Sequence, residues 1–502
     1  MLCYSRRPPS TVNTTVDQAT GSCAGSCSLR DAVATANPGD TVQVPAGHYV
    51  LTLGDIDVAV PLVIVGAGAR STVLDGNGTS RIFLISTVPA GPVEVDDVAL
   101  VNGLADTPEP VFGSISGGAI TGLGELTLRR CLVANSQAAA SGGGIFWQGT
   151  LTVDQCTIVG NLATLVGGAP EGGGIFHRSG TVTITNSTLT GNTSPSGGGG
   201  AVLIFAQVNL VNDTIAGNQG GGLVLIASGT LANTIVAGNP GGDCVFFSGS
   251  LTTDHSLDGD NSCGLTDAGS LPGVNPLLEP LANNGGPTDT RALPGISPAI
   301  DAGDNATCEP TDQRGVTRPQ GPACDIGAYE RIPGPDCSQA AASPNLLWPP
   351  NHKLVPIQIT GVADPGRGAV TLSVTSIFQD EPVHSPGSGN TGPDGTGVGT
   401  AAPSVRAERD GDGDGRVYHI SFTVTDSAGG SCTGAVTVGV PKSQGSGPRS
   451  TRAHSTTRRC RKTARASAGQ GGAPAGAPPL AGRWRGPPAF RADRGCWALR
   501  GW

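Results

Sequence analysis

Between residues 117 and 242 the chain repeats one pattern of apolar and polar positions. A glycine run leads into a short alternating strand, as in Gly143-Gly-Gly-Ile-Phe146, and a second alternating strand closes on Gly-Asn, as in Leu151-Thr-Val-Asp-Gln-Cys-Thr-Ile-Val-Gly-Asn161. The same phrase returns at Gly172-Gly-Gly-Ile-Phe176 and Thr181 to Asn192, at Gly200-Ala-Val202 and Val208 to Asn218, and at Gly222-Leu-Val224 and Thr230 to Asn239. The closing asparagines fall at 135, 161, 192, 218 and 239, intervals of 26, 31, 26 and 21. A period in the twenties made of period-two strands and glycine turns predicts a solenoid, and with strands in place of helices a parallel β-helix.

Stacking coils at the interstrand spacing of about 4.8 Å puts equivalent positions into columns. Ile120, Ile145, Ile175 and Val202 are then one interior aliphatic stack. Six residues before each closing asparagine, Gln155, Asn186, Asn212 and Asn233 form a polar column whose amides are expected to bond one another along the axis. Asn186-Ser-Thr188 and Asn212-Asp-Thr214 are also glycosylation sequons, but an amide held in a turn column is not free to carry a sugar, so the structural reading is taken. Leu126-Thr-Leu-Arg-Arg-Cys and Leu151-Thr-Val-Asp-Gln-Cys align 25 residues apart and predict Cys131 over Cys156, in contact without a required bond. Phe146-Trp147 and Phe176-His177 share one offset, giving an aromatic line. Facing outward, Phe146, Trp147 and Phe176 are candidates for contact with sugar rings or a partner surface; facing inward they are core.

Beyond residue 332 the pattern changes. Val370 to Ile377, Tyr418 to Thr425 and Gly434 to Val440 alternate at period two, and 332–441 reads as an immunoglobulin-like β-sandwich. Residues 1–10 read as a disordered start and 442–502 as a disordered Arg/Gly/Ala/Pro-rich tail, so the β-helix is assigned to 11–331. The fold class expected is all-β: a right-handed parallel β-helix, a small sandwich, and the tail.

Composition agrees. The 502 residues include 79 Gly and 39 Pro, one Met, and only 14% charged residues, which excludes a mainly α protein. The glycines follow no triplet, which excludes collagen. The net charge of −9 hides 11 Arg and 2 Lys against one acid in residues 442–502. That tail reads better as a shifted frame of G+C-rich DNA than as a nucleic-acid-binding arm, so nucleic acid is not an expected partner. No apolar stretch is long enough for a membrane span. The start lacks the apolar core of a signal peptide, so an exported chain missing its leader is expected. Among the 13 Cys, the close pairs Cys23/Cys27, Cys244/Cys263 and Cys308/Cys324 predict disulfides in an oxidising compartment, and Cys337 with Cys432 is positioned to staple the ends of the second unit.

Candidate chemistry is sparse. Asp410-Gly-Asp-Gly-Asp-Gly415 offers Asp410, Asp412 and Asp414 at calcium-loop positions 1, 3 and 5, but the twelfth position is Ser421 rather than a bidentate Glu, so calcium binding is weak and a hairpin turn is preferred. His352 stands alone and reads as structural. A polysaccharide lyase or glycoside hydrolase would need converging carboxylates or a base beside an acidic metal site. The paired acids available are Asp55/Asp57 and Asp96/Asp97, the latter where a turn belongs, while Asp154 and Asp213 fall in different columns. These four acids carry the enzymatic alternative; no cofactor is expected.

Cys27-Ser-Leu-Arg-Asp-Ala32, followed by Ala-Asn-Pro-Gly-Asp40 and Val-Pro-Ala-Gly47, resembles the Cys-Ser-Leu-Arg-Glu-Ala domain that opens many bacterial surface β-helices, with Asp31 in place of Glu. The coils resemble those of pectate-lyase-like helices and polymorphic outer-membrane proteins. Leu281 to Thr288, Ser297-Pro-Ala-Ile-Asp-Ala-Gly303, Asp312-Gln-Arg-Gly315 and Asp325-Ile-Gly-Ala-Tyr-Glu330 are similar to the terminal segment of bacterial choice-of-anchor β-helix proteins, expected here as an end cap. The resemblance implies export and display at the cell surface with no assigned chemistry. The expected function is therefore structural or adhesive, toward an extracellular or cell-surface glycan or protein.

Overall fold

The computed structural model describes residues 9–445 except 87–90, 109–114, 165–171, 196, 206, 366–368, 382–391 and 427–429. All but the first four residues of the expected disordered tail, and all but the last two residues of the expected disordered start, lie outside the described residues. The chain forms a right-handed parallel β-helix followed by a smaller antiparallel β unit, the nearly all-β class expected. Among the described residues no helix is long and apolar enough to cross a membrane.

Three parallel sheets make the solenoid: a 15-stranded first sheet, a 10-stranded second sheet and a 3-stranded third. In the first sheet, Ile120–Arg129 pairs with Ile145–Asp154 and that with Ile175–Thr185. The register places Ile120, Ile145, Ile175, Val202 and Leu223 in one buried column, as the coil alignment requires. Cys131 and Cys156 occupy equivalent positions, both buried thiols, with the Cys131 N–H donating to the Cys156 sulfur at 3.2 Å.

The one helix among the described residues, Leu29–Ala34, has the hydroxyl of Ser28 as N-cap, accepting from the Asp31 N–H, and buries Leu29, Ala32 and Val33 in the same core as the first coils. Arg30 is fixed by the Asp17 carboxylate at 2.8 Å and by the Gly54 and Asp55 carbonyls. Thus the Cys-Ser-Leu-Arg-Asp-Ala motif packs into the core of the first coils.

The two polar columns exchange the roles expected of them. Gln155, Asn186, Asn212 and Asn233 sit in the left-handed region at φ 54°, 48°, 56° and 48°, which asparagine tolerates better than most residues. The amides of Gln155, Asn212 and Asn233 bond outward to the chain beyond residue 280 instead of along the column. The continuous ladder is built by the closing asparagines: Asn161 Nδ2 donates to Asn192 Oδ1 at 2.9 Å, Asn192 Nδ2 to Asn218 Oδ1 at 3.0 Å, and Asn218 Nδ2 to Asn239 Oδ1 at 2.9 Å. Asn135 does not join it. The register Ala134↔Val159 aligns Asn135 with Gly160, and the Ser136 N–H bonds Asn161 Oδ1 instead.

Residues 281–331, expected as an end cap, instead lie along the outside of the second sheet. Gln313 Nε2 donates to the Cys156 carbonyl, Thr157 Oγ1, Thr288 Oγ1 and the Asp289 carbonyl, while its Oε1 accepts from Thr188 Oγ1. The Glu309 N–H reaches Asn212 Oδ1, the Ala328 N–H reaches Thr214 Oγ1 and Asn233 Nδ2 donates to the Asp304 carbonyl, so one segment ties four successive coils. Leu293, Ala299 and Ile326 cover the outward Ile235, Ala237 and Leu257.

The second unit packs two 3-stranded antiparallel sheets and a 2-stranded ribbon around Val374, Ile377, Tyr418, Ile420, Phe422 and Val438. Disulfides join Cys23–Cys27, Cys244–Cys263, Cys308–Cys324 and Cys337–Cys432, all four expected pairs.

Candidate functional site

Alternation along the strands decides which aromatics face out. Ile145 and Trp147 point inward and Phe146 points outward; Ile175 and His177 point inward and Phe176 outward. Trp147 is therefore withdrawn as a ligand contact. It is fully buried, its Nε1 donates to the Thr150 carbonyl at 3.0 Å, and Gly122 in the preceding coil gives its ring space, since a Cβ there would stand 2.7 Å from the indole. His177 is likewise interior, bonding the Gly149 carbonyl at 2.8 Å.

Phe146 and Phe176 stack with ring centroids 5.3 Å apart and planes within 4°, and Phe205 stands 5.5 Å from Phe176, tilted by 50°. The register carries this outward column on to Val224 and Val245. Two residues further along the strands, Phe205, Ile226 and Phe247 form a second outward column in successive coils. Glycine turns fold over the start of the first column: a Cβ on Gly142 would come within 2.9 Å of the Phe146 backbone nitrogen, and one on Gly172 within 3.1 Å of the Phe176 Cα. Accordingly Phe146 and Phe176 are only 6% and 8% exposed, and the reachable apolar surface is Phe205 at 41% and Phe247 at 61%. Sequence reasoning missed these two. The signal was present, because Phe205 and Phe247 stand two places beyond the positions in register with the outward Phe176.

The acids of the enzymatic alternative are separated. Asp57 lies on Ile56–Val58 in register with Leu84, which pairs with Thr121, whereas Asp96 is in register with Arg129 at the far end of the same ten-residue strand. Eight residues of strand separate those columns, about 26 Å, beyond the spacing of carboxylates acting on one glycosidic bond. Asp57 accepts from Ser86 Oγ and the Asp55 carbonyl binds Arg30. Asp97 occupies a turn position at φ 60°, as expected, and forms a two-point pair with Arg130 at 2.8 and 2.7 Å. Burial raises the Asp96 carboxyl above its usual range, with Arg130 3.5 Å away opposing the shift.

The calcium-loop-like run does not assemble: Asp410, Asp412 and Asp414 are not among the groups of described acids whose oxygens converge. Asp412 N–H folds back on Asp410 Oδ1 at 3.0 Å, and the Asp410 N–H bonds Glu381 Oε2 at 2.7 Å, the geometry of a turn leading into Gly415–Thr425. His352 pairs with buried Glu408 at 3.1 Å, a structural contact.

Buried ion pairs hold the outer segment in place. Arg318 bonds Glu330 at 3.0 Å and the Asp325 and Gly327 carbonyls, and Arg314 pairs with Asp312 at 2.7 Å. Burial, and then the Glu330 charge, push the Asp325 carboxyl up to about 7.

With this geometry in place, a family comparison agrees on the coils. Residues 112–254 match the family model for a right-handed β-helix region. The crystal structure of pectate lyase Pel9A is similar at 14% identity and a TM-score of 0.32, over 66% of this chain and 98% of that one. No curated protein matches.

Proposed function

We propose that the chain is an exported bacterial surface protein of the choice-of-anchor kind, whose β-helix is a rigid adhesive or structural element and whose C-terminal antiparallel unit is an immunoglobulin-like spacer. The observation that carries this reading is the outward apolar strip of Phe205, Ile226 and Phe247 flanking the stacked Phe146 and Phe176. The second sheet has its outer face covered by residues 281–331, whereas this strip on the first sheet presents two phenylalanine rings to solvent. Exposed aromatic faces grip sugar rings or apolar partner surfaces. Four disulfides favour life outside the reducing cytoplasm.

The test is binding of the purified chain to arrays of extracellular glycans and to cell surfaces, with Phe205→Ser/Phe247→Ser as the variant. Retained folding with at least tenfold weaker binding is expected. Unchanged binding removes the strip as the contact. Release of unsaturated or reducing ends from an acidic polysaccharide, lost in Asp57→Asn or Asp96→Asn, overturns the reading in favour of a lyase or hydrolase.

A further inference from the structure

The asparagine ladder ends on a carboxylate. Asn239 donates both its backbone N–H, at 2.9 Å, and its Nδ2, at 2.8 Å, to Asp243 Oδ1. Asp243 is 1% exposed, and its second oxygen, Oδ2, is buried with no hydrogen-bond partner. That oxygen faces the turn Asp258-Gly259-Asp260: a Cβ built on Gly259 would stand 2.8 Å from it, so only glycine leaves the approach open. The turn contributes two more carboxylates. Oxygens of Asp243, Asp258 and Asp260 lie within 4.8 Å of one another, with Asp258 buried and Asp260 exposed.

Backbone amides hold all three in place. The Asp243 N–H donates to Asp260 Oδ2 at 3.1 Å, the Cys263 N–H to Asp258 Oδ2 at 2.7 Å, and the Asp260 N–H to Asp258 Oδ1 at 3.2 Å. The Cys244–Cys263 disulfide locks the turn to the coil it faces. Among the described residues no Lys, Arg or His forms an ion pair with any of the three. Three like charges at this separation repel, and a buried carboxylate oxygen without a donor is costly. A cation relieves both at once.

We infer that Asp243, Asp258 and Asp260 form a calcium-class divalent-cation site that ends the asparagine ladder and pins the 258–263 turn to the last coils. Oxygen-only donors select a hard ion, and exposed Asp260 leaves one side open for the water that completes a calcium shell. Asp243 Oδ2 is the ligand supplied from the helix; one oxygen each of Asp258 and Asp260 comes from the turn. An exported module meets calcium in the range of about 10⁻⁴–10⁻³ M, where such sites operate. The site is independent of the apolar strip.

Thermal unfolding of the full chain in EDTA, in 10 mM CaCl₂ and in NaCl of equal ionic strength tests the assignment. Calcium is expected to raise the midpoint by at least about 2 °C over both controls. Asp260→Asn, a solvent-facing change, should cut that rise by more than half, and Asp412→Asn should leave it intact. Hydrogen exchange of the wild-type chain locates the ion without any variant: amides in 239–263 should exchange at least about tenfold more slowly with calcium. No calcium-dependent rise, an equal rise in folded Asp260→Asn, loss of the rise in Asp412→Asn, or unchanged exchange in 239–263 would each overturn the site.

Discussion

Replacing Asn192 by Ala interrupts the ladder at its middle, and the structure gives the size of the effect. Asn192 Oδ1 accepts from the Asn161 N–H at 3.1 Å and from Asn161 Nδ2 at 2.9 Å, while Asn192 Nδ2 donates to the Ile158 carbonyl at 2.9 Å and to Asn218 Oδ1 at 3.0 Å. In the variant Asn161 Nδ2 keeps the Val133 carbonyl and Asn218 Oδ1 keeps the Asn192 N–H, but the buried Asn161 N–H loses its bond. One orphaned buried donor costs about 1–3 kcal/mol and each of three further lost bonds about 0.5–1.5 kcal/mol, so a loss of about 2.5–7.5 kcal/mol is expected. A solenoid does not unfold in one step, so the assay is native-state hydrogen exchange at the Asn161 amide together with the first transition in urea. Asn135→Gly is the control. The sequence repeat makes Asn135 look equivalent to Asn192, yet it is exposed at φ 54° in a turn column that continues as Gly160, Gly191 and Gly217, so less than about 0.5 kcal/mol should change. A loss below about 1 kcal/mol for Asn192→Ala, or a larger loss for Asn135→Gly, would refute the ladder's energetic role.

Other outcomes follow from buried polar groups and from the placement of the outer segment. Burial holds the Asp213 carboxyl well above the usual carboxylate range, and Asp325 is raised to about 7. A raised folded pKa means the native state keeps a proton the unfolded chain has released, so this stability is present at low pH and lost as pH rises, for Asp325 between about 4 and 7. Relative to wild type, Asp213→Ser, which restores the hydroxyl of neighbouring Ser187 and Thr234 in its column, and Asp325→Asn should each flatten the decline in melting temperature from pH 5 to 8; an unchanged slope counts against the assignment. Gln313→Ala should cost about 2–4 kcal/mol and speed proteolytic release of residues 281–331, because it removes contacts across two coils; unaltered proteolysis contradicts that role. A chain ending at residue 335 is expected to stay soluble and keep its β circular-dichroism signature, since coils contact mainly their neighbours and the second unit has its own core. An insoluble or unfolded product would move the proposed boundary.

Much of the solenoid was legible because its information is local and repeated. The inward column Ile120, Ile145, Ile175 and Val202, the Cys131/Cys156 alignment and the four disulfide pairs required only spacing and alternation along the chain. The facing of Trp147 was legible in principle: with Ile145 inside, period two places Phe146 outside and Trp147 inside, and the shared Gly-Gly-Gly-Ile offset obscured that parity. Which amide column forms the ladder depended on a single residue of register. Asn135 and Asn161 each close a coil in sequence, but strand pairing sets Asn135 beside Gly160, and a one-residue shift turns an interior ladder position into an exposed turn. The contacts made by Gln313 with coils 125 to 157 residues earlier, and the convergence of Asp243 with Asp258 and Asp260, have no periodic signature. Local sequence determined the coil, its inward face and its turn residues; only the tertiary structure decided what covers the outer faces, because that depends on where a non-repeating segment returns.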